Sequence, residues 1–129
     1  MIKKILSILI IVAILIATFL VLSKPPKNLD TYYENPDLVF YWGDGCPHCE
    51  TVKEWLEANN QQNQIKISSK EVYDNQSNAK EFVDTINQYC PDLKGESGIG
   101  VPTAFDPKSQ TCLQGSDQII KFLTDKLTL

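Results

Sequence analysis

Residues 38–49 read LVFYWGDGCPHC and contain the strongest indications of the fold. The first five residues are an apolar, β-prone run between turn-forming residues, which predicts a strand buried on both faces. A helical pattern follows at once, because Cys49, Val52 and Leu56 recur on one side. Two cysteines therefore stand at the junction of a buried strand and a helix.

The rest of the sequence continues as alternating strands and helices. The further elements predicted from hydrophobic spacing are a strand at 65–72, a helix from 75 to 90, strands at 101–105 and 111–113, and a helix from 115. The resulting order is βαβαββα. It predicts an α/β fold with a mixed four-stranded sheet, in which the first two strands are parallel, the final hairpin is antiparallel and helices cover both faces.

The N-terminus carries a long uncharged segment. A tail of residues 1–4 precedes eighteen residues, 5 to 22, that contain no charge. At about 1.5 Å per residue they would extend roughly 27 Å, close to the thickness of a bilayer core. We therefore expect a transmembrane anchor at 5–23, a proline-containing linker at 24–35 and a folded domain at 36–129. A cleaved signal peptide is the alternative, although its apolar region is normally shorter.

Topology and charge limit the location and the partners. An anchor with almost nothing before it is typical of a signal anchor, so we expect a single-pass protein of the cell membrane with its soluble domain outside the cytoplasm. The chain has twelve lysines, no arginine and a net charge of -4. That balance argues against a nucleic-acid partner, which would require a basic surface.

The motif Cys46-Pro47-His48-Cys49 carries the chemistry. At a helix N-terminus, unpaired backbone N–H groups and the helix dipole stabilise a thiolate, so Cys46 is the candidate nucleophile. Cys49 lies one turn later, where it can form a disulfide with Cys46 and resolve a mixed disulfide with a substrate. Pro47 suits the first helical turn, where no N–H is needed, and His48 adds a polarisable ring that tunes the sulfurs. This chemistry needs no dissociable cofactor.

Two motifs resemble the thioredoxin superfamily: WGDGCPHC at 42–49, after a buried strand, and Val101-Pro102-Thr103 at the start of a later strand. The likeness covers about residues 36–129 and implies a thioredoxin-like fold with a cis peptide bond before Pro102. It also implies that the backbone next to Pro102 meets the substrate. The candidate substrate-binding residues are Val101, Pro102, Thr103 and Trp42.

Two branches of that superfamily share features with this chain. Cys-Pro-His-Cys is similar to the Dsb-type extracytoplasmic disulfide oxidases, and Gly115-Ser116-Asp117 resembles the helix start with which glutaredoxins hold the glutathione carboxylate. The same residues are also ordinary helix-capping types. The resemblance implies a thiol-disulfide oxidoreductase that acts on protein thiols or a partner redox protein, with glutathione as a further partner. Together with the uncharged N-terminal segment, it predicts a membrane-anchored enzyme.

One position departs from the family pattern. Thioredoxins and Dsb oxidases carry a buried acid six residues before the nucleophile, where this chain has Phe40. The usual proton acceptor for Cys49 is therefore missing. The direction of exchange stays open between oxidase, reductase and isomerase.

Other interpretations of the cysteines remain. Cys46, Cys49 and His48 are also donors for Cu(I), so a metallochaperone-like module is the alternative function, and an anchored assembly factor is a third class. Cys90 and Cys112, 22 positions apart, do not complete a zinc site, and we assign no metal ligand. They are candidates for a structural disulfide in an oxidising compartment, while a second redox pair and free buried thiols are the alternatives.

Overall fold

The computed structural model of the chain describes residues 6, 9–16, 18, 31–60, 63–95 and 98–128. The elements of its folded part are β1 (Leu38–Trp42), α1 (Pro47–Asn59), β2 (Ile67–Glu71), α2 (Gln76–Tyr89), a 3-10 turn (Pro91–Leu93), β3 (Thr103–Asp106), β4 (Thr111–Gln114) and α3 (Ser116–Leu127). This order confirms the predicted succession of strands and helices.

The sheet has the strand order β2-β1-β3-β4. Strands β1 and β2 are parallel, with Leu38 opposite Ile67, as expected for strands joined through a helix. Strand β3 is antiparallel to both β1 and β4. The predicted mixed four-stranded sheet is therefore confirmed, with β1 at its centre, next to β3.

The central strand contacts two hydrophobic cores because its side chains alternate between the faces of the sheet. Leu38, Phe40 and Trp42 pack with residues of α1 and α3. Val39 and Tyr41 face the other way and pack with residues of α2. All five are buried, as the apolar run predicted, and helices cover both faces.

Contacts with the sheet begin earlier in the chain than residue 36. The carbonyl oxygen of Thr31 accepts a hydrogen bond from the N–H of Ser69 at 3.0 Å. The N–H of Tyr33 donates to the hydroxyl of Ser68 at 2.9 Å. Thr31 and Tyr33 both belong to the segment 24–35, which was expected to be a linker. Strand β2 lies at an edge of the sheet, where its outward backbone groups need partners, and the segment supplies some of them.

The expected anchor, 5–23, falls in a part of the chain of which the structure describes only residues 6, 9–16 and 18, all helical. The remaining positions of the anchor and the linker up to residue 30 lie outside the described residues. Among the residues that are described, no helix combines the length and the hydropathy needed to cross a bilayer.

Candidate active site

A short turn carries the chain from β1 to the cysteines. Gly45 has φ of +71°, a backbone conformation that side chains with a Cβ rarely adopt. A Cβ on Gly43 would lie 2.3 Å from the ring of Tyr73, so this position also requires glycine unless Tyr73 moves. After this turn, Cys46 has an extended backbone conformation and is the N-cap residue of α1.

The sulfur of Cys46 caps the helix. The N–H of Cys49 donates to Sγ of Cys46 at 3.2 Å, and the N–H of Glu50 donates to the carbonyl oxygen of Cys46 at 3.1 Å. A disulfide joins Cys46 to Cys49, with their Cα atoms 5.2 Å apart. The solvent-exposed fraction is 8% for Cys46 and zero for Cys49, so an incoming thiol can reach only Cys46.

The loop before β3 lies against this disulfide. The Val101–Pro102 peptide bond is cis, and Sγ of Cys46 lies 3.8 Å from the carbonyl oxygen of Val101. The carbonyl oxygen of Pro102 accepts a hydrogen bond from the N–H of Gly115 at 2.9 Å. Thr103 is fully buried, and its hydroxyl donates to the carbonyl oxygen of Gly100 at 2.7 Å. Thr103 therefore holds the loop and does not reach the surface.

A cleft of about 370 Å³ opens beside the loop. Its lining residues come from α1, from the loop before β3, from the end of β4 and from the start of α3: His48, Gly100, Val101, Pro102, Gln114, Gly115, Ser116, Asp117 and Gln118. The structure thus brings His48 together with Val101 and Pro102, while Pro47 occupies the first turn of α1 and is exposed.

The start of α3 is not capped by Ser116 or Asp117. Its N-cap is Gly115, at φ of +88°, and no side chain makes a capping hydrogen bond there. Asp117 is exposed in the first helical turn and faces the cleft. The prediction that Ser116 or Asp117 caps this helix is therefore wrong, because a glycine in a left-handed conformation occupies the cap position and has no side chain to accept the N–H groups.

Trp42 lies beneath the cysteines. It is 9% exposed and packs in the same core cluster as Cys46 and Cys49. The ammonium nitrogen of Lys53 lies 3.2 Å from the centre of its ring and 2.8 Å from Oε1 of Glu50. Trp42 is thus a core residue covered by a lysine, and it does not line the cleft.

Glu71 is a site residue that sequence reasoning missed. Its carboxylate accepts hydrogen bonds from the N–H groups of Asp44, Tyr73, Asp74 and Asn75, at 2.7 to 3.3 Å. Burial opposes ionisation, but these backbone donors outweigh it and hold the pKa of Glu71 below its usual value. Glu71 therefore ties the turn before Cys46 to the loop after β2. An acid at the end of a strand gave no specific signal of this role.

The second disulfide lies apart from the first. Cys90 ends α2 and Cys112 lies in β4; a disulfide joins them, with their Cα atoms 6.2 Å apart. Both pack on the core cluster between α2 and the sheet, whereas Cys46 and Cys49 belong to the cluster on the opposite face. The sheet therefore separates the two pairs.

The described residues contain no group of three or more His, Cys, Asp or Glu side chains arranged to hold a metal ion. Cys46 and Cys49 would supply two sulfur ligands to Cu(I), and no third His, Cys, Asp or Glu ligand lies with them among the described residues. His48 is exposed at the edge of the cleft.

Comparisons with known proteins give one structural similarity. The sequence matches no protein-family profile, and it matches no curated protein. Among solved structures, the chain is similar to the crystal structure of glutaredoxin 1 from Francisella tularensis complexed with cacodylate. The two are 28% identical with a TM-score of 0.43, over 70% of this chain and 94% of the glutaredoxin.

Proposed function

We propose that this protein is a thiol-disulfide oxidoreductase that acts through the Cys46–Cys49 pair. The observation that carries the proposal is the position of Cys46. Its sulfur caps α1, accepts the N–H of Cys49 at 3.2 Å and lies 3.8 Å from the backbone of Val101 at the cleft. An N–H group aimed at the sulfur stabilises the thiolate that forms when the disulfide is reduced.

The exchange follows from the difference in exposure. A substrate thiolate attacks Sγ of Cys46, the Cys46–Cys49 bond breaks, and Cys49 leaves as a thiolate. A second substrate thiol then attacks the mixed disulfide and releases Cys46. The substrate gains a disulfide, and its two electrons remain on the reduced cysteine pair. The same steps in reverse reduce a substrate disulfide.

The substrates we propose are protein thiols or a partner redox protein bound along Val101. Glutathione is a further proposed partner, supported by a cleft in which Val101, Gln114 and Asp117 surround one space of about 370 Å³. We also propose that residues 5–23 anchor the protein, with the domain outside the cytoplasm. The uncharged segment supports this, as does the Cys90–Cys112 disulfide, a type of bond that persists in oxidising compartments.

A redox titration tests the proposed activity. The full-length protein is equilibrated in glutathione buffers and alkylated, and the state of each cysteine is mapped by mass spectrometry. We expect the Cys46–Cys49 pair to titrate between about -120 mV, as for strong oxidants, and about -270 mV, as for thioredoxin. A value below about -300 mV would identify a structural bridge and overturn the proposal.

Two controls separate the alternatives. Cys46→Ser should abolish exchange with a model disulfide substrate while Cys90 and Cys112 stay bonded. A stoichiometric Cu(I) complex of the reduced protein, together with no exchange activity, would instead support the metallochaperone-like function. For the anchor, the full chain should remain in the pellet after alkaline carbonate extraction of membranes, and a chain that starts at residue 24 should not.

A further inference from the structure

A buried lysine lies on the helix that carries the redox pair. Lys53 is 7% exposed and is the only lysine in the buried class among the described residues. It follows Cys49 by four positions, so the two lie on the same face of α1, with Cβ atoms expected about 5–6 Å apart. Cys49 is fully buried on that face. The side chain of Lys53 therefore starts one helical turn after Cys49, the cysteine whose sulfur leaves as a thiolate.

The contacts of Lys53 show which way its side chain runs. Side chains of an α-helix lean toward its N-terminus. The ammonium accordingly reaches back to Oε1 of Glu50, three positions earlier, at 2.8 Å. On its other side it stacks on Trp42, which shares a core cluster with both cysteines. The ammonium is thus held in the turn that contains Cys49.

On the sheet, Glu71 lies opposite Trp42 in the register of β1 and β2, and its carboxylate accepts four backbone N–H groups of the neighbouring turns. Phe40 occupies the buried position of β1 between Leu38 and Trp42. The one acid in the buried class among the described residues is Asp106, which is ion-paired with Lys126 at 3.2 Å. Asp106 ends β3, about 10 Å along the strand from Thr103. Lys53 is therefore the buried charge closest in sequence to the redox pair, whereas the side chain of Glu50, the acid next to Cys49, is half exposed.

We propose that Lys53 is a positioning residue that sets the reduction potential of the Cys46–Cys49 pair. This inference rests on the proposed thiol-disulfide function. When two glutathione thiols reduce the disulfide, the S–S bond breaks, one glutathione disulfide forms, and a cysteine of the pair carries negative charge. An ammonium nearby, partly shielded from water, stabilises that charge and so favours the reduced state. Lys53 therefore makes the disulfide more oxidising.

The test compares four full-length proteins in glutathione buffers: wild type, Lys53→Met, Lys53→Arg and Lys80→Met. The quantity measured is the equilibrium constant for oxidation of the Cys46–Cys49 pair by glutathione disulfide. Methionine keeps an apolar chain over Trp42 without the charge, and arginine keeps the charge. Lys80 is the matched control, because it makes an i,i+4 ion pair with Asp84 on the exposed side of α2.

We expect Lys53→Met to raise this constant about tenfold, which is about 30 mV toward a more reducing potential. Lys53→Arg and Lys80→Met should stay within about twofold of wild type. The pH at which alkylation of reduced Cys46 is half-maximal should also move upward in Lys53→Met alone. The role of Lys53 would be overturned if the equilibrium constant of Lys53→Met equals that of the wild type, or if Lys53→Arg changes the constant as much as Lys53→Met does.

Glu50→Gln provides a second variant that does not disturb the core, since the Glu50 side chain is half exposed. It removes the anion that neutralises Lys53, so the constant should fall about threefold, and the fall should be smaller in the Lys53→Met background. Equal effects in both backgrounds would contradict the proposal. If the wild-type pair never equilibrates with glutathione, the proposed function itself fails. If the wild type equilibrates but the variants have the same constant, only the role of Lys53 fails.

Discussion

The backbone N–H of Cys49 points at Sγ of Cys46 from 3.2 Å, so the two cysteines are joined by a helix-capping hydrogen bond as well as by their disulfide. The N-cap position is normally occupied by an oxygen-bearing side chain that accepts such N–H groups. Here a sulfur takes that place. The same backbone group that starts α1 therefore also stabilises negative charge on Cys46.

Because only Cys46 is reachable, Cys49→Ser should trap substrates. The variant retains the attacking thiol but lacks the group that resolves the mixed disulfide, so we expect covalent adducts with glutathione or substrate proteins at Cys46. Non-reducing electrophoresis followed by mass spectrometry measures them. Cys46→Ser is the control and should form none, since Cys49 is fully buried. Equal adduct formation at Cys49 would contradict this assignment of roles.

His48 should influence exchange through its position at the cleft. It is exposed between the two cysteines and shares the cleft with Gln118, a neutral residue at the far wall. We expect His48→Ala to lower the rate of exchange severalfold and to shift the pair toward a more reducing potential, because a polarisable, protonatable ring next to the sulfurs is lost. Gln118→Ala should leave the potential unchanged. Stopped-flow exchange at several pH values makes the comparison, and a shift in both variants would refute a specific role of His48.

The Cys90–Cys112 disulfide should stabilise the domain without taking part in exchange. It closes a loop with a sequence separation of 22, which corresponds to about 3 kcal/mol of stability in the chain-entropy description. We expect the double variant Cys90→Ser/Cys112→Ser to lose about that much in urea unfolding followed by tryptophan fluorescence. Its equilibrium constant with glutathione at Cys46–Cys49 should stay within about twofold of wild type. A large change in that constant would instead indicate a relay between the two pairs.

Glu71 and Asp106 should make the protein sensitive to acid. Burial opposes their ionisation, but backbone N–H donors, and Lys126 in the case of Asp106, hold both pKa values below their usual range. A carboxyl group with a lowered pKa in the folded state contributes stability above its unfolded pKa of about 4, and loses it as the pH falls through the folded value. Unfolding free energy should therefore be level near neutral pH and fall below about pH 4.

The variant Glu71→Gln isolates one of these groups. An amide oxygen replaces a carboxylate that accepts four backbone N–H groups, so we expect a loss of about 1–2 kcal/mol at pH 7. The difference from wild type should shrink as the pH falls, because protonated Glu71 resembles the amide. Urea unfolding between pH 3 and pH 7 measures both effects. Glu54→Gln, at an exposed acid in α1, serves as the control and should change stability little.

The sequence determined the architecture and the location of the redox pair. The uninterrupted apolar run 38–42 between turn residues predicted a strand buried on both faces, and the helical spacing after Cys46 placed both cysteines at a helix start. The periodicity of 79 to 90 predicted α2. These features are local, because each depends on the residues of one segment.

The surroundings of the cysteines depend on long-range contacts that no single segment of the sequence contains. Glu71 meets Asp44 across 27 positions, and Val101 meets Cys46 across 55, contacts that arise from the parallel pairing of β1 with β2 and the central place of β3. Lysine side chains are rarely buried, yet Lys53 is 7% exposed because it lies against Trp42 from another element. Burial of a charge depends on what the rest of the chain packs against it, and local periodicity contains no information about that partner.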